Sequence, residues 1–214
     1  MSHFTVAVFH REDQDIEELL APFDETIEYE PYIKYTKEEA IQSVRKDIEE
    51  YKNTRYAEYL ADPKGYEEKC SNPNHIQYLR EEFPKKLNWT DEQCYEYKKE
   101  YFEDEMIDEE GNLYSTYNPN SKWDWYVVGG RWRGKLINKN GKLTDEDYVS
   151  ELVFPDDFST FAVLLPDGSW HEAGEMGWWA IVSNEKDDWY DTYKEKFLDT
   201  ADPNWILTIV DCHI

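Results

Sequence analysis

"MSHFTVAVFH", residues 1–10, alternates strictly: Phe4, Val6 and Val8 point one way, and His3, Thr5 and Ala7 the other. That period is a β-strand with one apolar and one semi-polar face. The other end of the chain, "NWILTIVDCHI" at 204–214, repeats the pattern. There Ile206, Thr208, Val210 and Cys212 share one face, while Leu207, Ile209, Asp211 and His213 share the other. Two terminal strands of this kind can lie side by side in one sheet, and their pairing would carry His3 towards Asp211 and His213.

Between these strands the pattern changes at Thr36. "TKEEAIQSVRKDIEEYKNTRYAEYLADP" opens with a capping box, Thr36 with Glu39, and runs at helical spacing through Ala40, Val44, Ile48 and Tyr51 to a stop near Pro63. A second capping box, Thr90 with Gln93, opens another helix, and a shorter one is expected around 74–83. The turn "DEEGN" at 108–112 closes this stretch. Beyond it, "NKNGK" near 140 and "LPDGSW" near 167 read as hairpin turns, "MGWWAIV" as a strand, and 184–201 as an amphipathic helix carrying Trp189, Tyr193 and Phe197. The expected fold class is α+β. Residues 1–214 read as a single domain with an antiparallel sheet containing both terminal strands and a packed helix near the C-terminus. Residues 36–110 are a charged helical insertion in the N-terminal half.

Composition narrows the function classes. Forty-eight acids against 23 bases give a net charge of −25, divided as −7, −9 and −9 over residues 1–35, 36–112 and 113–214. Direct nucleic-acid binding through a broad basic face is therefore not expected, because that affinity comes from Lys and Arg releasing counterions. An acidic chain serves solubility, or imitates DNA against a protein partner. Aromatic residues make up 16 % of the chain, which marks a folded protein and not an acidic tail. Three cysteines without paired spacing, no leader pattern and no apolar run of membrane length read as a reduced, cytoplasmic protein with no membrane contact and no structural zinc. No cofactor motif is present: "GGRWRG" lacks the spacing of a dinucleotide fingerprint.

The densest chemistry lies in "SKWDWYVVGGRWRG", residues 121–134. Trp123, Trp125, Tyr126 and Trp132 offer ring faces on which a base can stack, and Arg131 offers a bidentate grip for phosphate. Asp124 would accept from a ribose hydroxyl or a base amine. On a regular strand Trp123 and Trp125 would share one face, Asp124 and Tyr126 the other. A second glycine-punctuated stretch, "GEMGWW" at 174–179, supplies Trp178 and Trp179 as the opposite wall of one pocket. The competing reading places these tryptophans in the core, with Asp124 and Arg131 as a buried ion pair. His3, Asp211 and His213 form a separate set, since a carboxylate beside imidazole serves both acid–base catalysis and metal ligation.

Five separated segments, "MSHFTVAV", "LAPF" at 20–23, "NPNSKWDWYVVGGRW" at 118–132, "GEMGWW" and "VDCHI", together resemble a group of bacteriophage and prophage proteins of unassigned activity. The resemblance covers both ends and the middle of the chain and leaves 36–110 unmatched. It implies a small accessory protein acting in the cytoplasm of the host cell. Three functions follow. The first is a counter-defence protein that sequesters a nucleotide-like small molecule, such as a host immune signal, in the Trp/Tyr/Arg pocket. The second is a metal- or His/Asp-dependent hydrolase of a nucleotide-type substrate, using His3, Asp211 and His213. The third is an acidic inhibitor or DNA mimic whose partner is a host defence protein. The oligomeric state is left open.

Overall fold

A computed structural model describes residues 2–177 and 181–214, and the chain divides into two compact units, Met1–Glu28 with Tyr117–Ile214, and Tyr29–Thr116. The first unit is built on a six-stranded sheet. Its strands are β1 (His3–His10), β2 (Trp125–Val128), β3 (Glu146–Tyr148), β4 (Ala162–Leu164), β5 (Trp170–Glu172) and β6 (Ile206–His213), in the order β5-β4-β1-β6-β2, with β3 also on β6. The terminal strands pair antiparallel along their whole length, from His3 opposite His213 to His10 opposite Ile206. The fold class read from the sequence is thus the observed one, with one departure: β4 runs parallel to β1.

Burial of the central strands on both faces explains why they hold the middle. Ala7, Phe9, Val163, Leu207 and Ile209 face one core, closed by Trp189, Tyr193, Phe197 and Leu198 of the helical stretch 189–198. Phe4, Val6, Val8, Ala162, Leu164, Val210 and Cys212 face the other, closed by Leu20, Trp123, Phe23 and Trp170. The face expected to be semi-polar is therefore buried too. Polar members of that face find partners within the chain, as where Thr5 Oγ1 accepts from the Phe161 N–H at 3.3 Å. The amphipathic helix is confirmed, with the Trp189 indole donating to the Thr160 carbonyl at 2.9 Å and burial raising the Tyr193 phenol.

The far edge of β6 is shared. β2 pairs with its last residues and β3 with its first, and Ile209 joins them, accepting from Gly129 N–H and donating to Asp145 C=O, both at 2.8 Å. Residues 130–144 leave the sheet as an excursion between the two. "LPDGSW" makes the β4–β5 turn, and "NKNGK" joins Leu136–Asn138 to Leu143–Thr144. "MGWWAIV" is not a straight strand: Met176 and Val182 pair antiparallel with each other, and its residues 178–180 lie outside the described ones.

The second unit, 29–116, is wider than the expected insertion because a short antiparallel strand pair, Tyr32–Tyr35 with Leu113–Ser115, closes it. Both capping boxes form, at Thr36 for helix Lys37–Tyr51 and at Thr90 for helix Asp91–Lys99. Ala40, Ile41, Val44, Cys94, Tyr95 and Leu113 make its core. Among the described residues no helix is long and apolar enough to cross a membrane.

Candidate functional site

The terminal ladder positions the site. Direct partners in an antiparallel pair share a face, so His3, His213, Asp211 and the β2 residues Trp125 and Val127 lie together at one end of the sheet. His3 Nδ1 donates to Asp211 Oδ1 at 2.8 Å, and His213 Nδ1 donates to Asp124 Oδ1 at 2.6 Å. A carboxylate accepts only, so both rings carry a proton on Nδ1, and in the neutral ring Nε2 bears the lone pair. The two imidazoles meet edge to face with centroids 5.0 Å apart. Trp125 stacks on His213 at 5.1 Å and an interplanar angle of 15°, and meets His3 edge-on at 5.4 Å.

Glycine builds the other side. Gly129 and Gly130 take φ of +74° and +50°, in the region that favours glycine, and turn the chain back over Asp211. That turn lets the Arg131 backbone N–H donate to Asp211 Oδ2 at 2.9 Å. Asp211 thus has one oxygen on an imidazole and the other on the main chain, and it is buried. The Arg131 side chain is exposed and, among the described residues, forms no ion pair. The buried Asp124–Arg131 pair is therefore replaced by two His–Asp pairs.

The expected single aromatic wall is split across the sheet. Trp123 precedes β2 and is bridged to Asp24, so it does not follow the strand's alternation. It packs into the core with Leu20 and meets Tyr126 edge-on at 5.1 Å. Burial raises the Tyr126 phenol. Trp132 packs against the opposite core, beside Leu136 and Phe158. Among the described residues of the ring set, Trp125 alone joins the histidines. Trp178 and Trp179 lie outside the described residues. Cys212 points to the other face, where burial holds its thiol well above the usual range, so it is no thiolate nucleophile.

The two aromatic stretches do meet, at a cavity of about 310 Å³ whose lining includes Phe4, Ser121, Lys122, Glu172, Glu175 and Met176. Lys122 is already taken there, donating to Glu172 at 2.6 Å while the Trp170 indole donates to the other oxygen at 2.8 Å. With Glu175 added, acids outnumber the one base, an environment that disfavours phosphate. No signal in the sequence pointed to Glu172. The Asp124–His213 bond was also missed, because its partners are 89 positions apart. No protein-family model, curated protein or solved structure matches the chain.

Proposed function

We propose that the protein is a phage-type accessory factor that binds a nucleotide-like small molecule where Trp125, Arg131 and the His3–His213 pair meet, withdrawing a host immune signal from use. The phage assignment rests on the resemblance alone. The ligand class rests chiefly on Trp125: its indole is 44 % exposed yet held by the stack on His213, which makes it a rigid platform for a base. The exposed guanidinium of Arg131 supplies the complement for phosphate. A second reading, hydrolysis of the same ligand, is favoured by the two carboxylate-held imidazoles, the arrangement that acid–base chemistry uses.

The test is to incubate the purified protein with extracts of phage-challenged bacteria, remove free small molecules, denature it, and identify by mass spectrometry what is released. An intact nucleotide-like molecule, missing from a folded Trp125→Ala Arg131→Ala variant, is the expected result. Release of cleaved product only, with intact ligand recovered from His213→Ala, favours the hydrolase. Empty protein overturns both.

A further inference from the structure

Three buried side-chain polar atoms among the described residues have no hydrogen-bond partner: Tyr51 Oη, Trp123 Nε1 and His213 Nε2. The first two are ring-borne O–H and N–H donors, but the third, in the neutral ring whose proton is given to Asp124 through Nδ1, is a bare lone pair. Leaving such an acceptor dry is unfavourable, because it has lost water without gaining a partner. His3 is held in the same sense, with Nδ1 on Asp211 and Nε2 free of that bond. The carboxylates that fix the two imidazoles through Nδ1 are the outer sphere that metal-binding histidines typically have.

The separation of the ring centres matches that of two imidazoles sharing one ion. With an N–metal bond of about 2.0–2.1 Å, each ring centre lies roughly 3.2 Å from the ion, and two rings at a near-tetrahedral angle are then about 5.2 Å apart. The His3 and His213 centroids are 5.0 Å apart. Imidazole nitrogens suit zinc and its first-row neighbours, whereas magnesium and calcium require oxygen. Among the described residues no group of three or more His, Cys, Asp or Glu is placed to hold a metal ion, so the two imidazoles are the chain's contribution. Two protein ligands leave coordination positions open to solvent or to a bound molecule.

We infer that His3 and His213 bind a divalent first-row transition metal of the zinc class through their Nε2 atoms, with Asp211 and Asp124 orienting the rings from outside. The partly exposed Trp125 ring, stacked on the face of His213, lies beside the pair and reports on it. This inference does not depend on the nucleotide reading, since the ion is titrated alone.

Untagged, chelator-stripped full-length protein is titrated with Zn²⁺ by calorimetry and with Co²⁺ by visible absorption, with no nucleotide present. The expected result is one equivalent bound, with the ligand-field bands of nitrogen-coordinated Co²⁺ and quenching of tryptophan fluorescence. His213→Ala and His3→Ala abolish it, Asp124→Asn weakens it about tenfold or more, and His10→Ala leaves it unchanged. Uptake as tight in folded His213→Ala as in the parent, or none in the parent, overturns the assignment. Should His213→Ala fail to fold, an unchanged affinity in folded Asp124→Asn overturns it equally.

Discussion

The two ends of the β1–β6 ladder carry the same chemical pieces in different states of completion. At the far end His10 is buried, its Nδ1 donating to the Arg11 carbonyl at 3.1 Å and its Nε2 3.1 Å from Thr208 Oγ1, whose single proton serves both that nitrogen and Glu146 Oε2 at 2.6 Å. Every nitrogen there has a partner within the chain. At the near end His3 and His213 each commit one nitrogen to a carboxylate, and the second nitrogen of His213 is left dry. A histidine beside a carboxylate is thus no signature of function by itself. The unpaired second nitrogen is what separates a site from a structural bond, because burial without a partner is tolerated only where something else explains it.

The sharpest way to break the near end alone is Gly130→Ala. A Cβ there would stand 2.4 Å from Asp211 Cβ, and the residue would also have to hold φ +50°. Strain and overpacking together predict a loss of about 3 kcal/mol or more in urea unfolding. The damage should be local: imidazole NMR signals of His3 and His213 shift, and those of His10 stay. Equal shifts at both ends would show that the ladder responds as one body and that the contrast drawn above has no mechanical meaning.

Thr208→Val tests the far end. Thr208 is fully buried and its hydroxyl sits between His10 and Glu146, so a near-isosteric valine orphans both. The expected loss is about 2 kcal/mol, with ligand and metal uptake at the near end unaltered. A change in uptake would couple the two ends.

What was legible from the residues divides along the range of the interactions. Capping boxes at Thr36 and Thr90 are complete within four residues, and both formed. The alternation in β1 and β6 announced two strands, and supposing them paired sufficed to bring His3, Asp211 and His213 together. Trp123 defeated the same rule. Its place is set by the bridge to Asp24 and by the core around Leu20, neither of which has a local trace, so the alternation read through β2 does not reach back to it. The strand pair closing 29–116 escaped for a related reason: its strands are separated by the helices they enclose.

The smallest expected effect is the most diagnostic. Trp125→Ala removes an aromatic stack worth about 0.5–1.5 kcal/mol at a partly exposed position, so unfolding free energy should fall by no more than about that amount, while nucleotide capture is lost. A large destabilisation would mean that Trp125 serves chiefly as a packing residue, and the near end would then be as structural as the far one. A neutral substitution that abolishes capture would mark Trp125 as a residue whose exposure is tolerated for binding, the property that His10 and its partners lack.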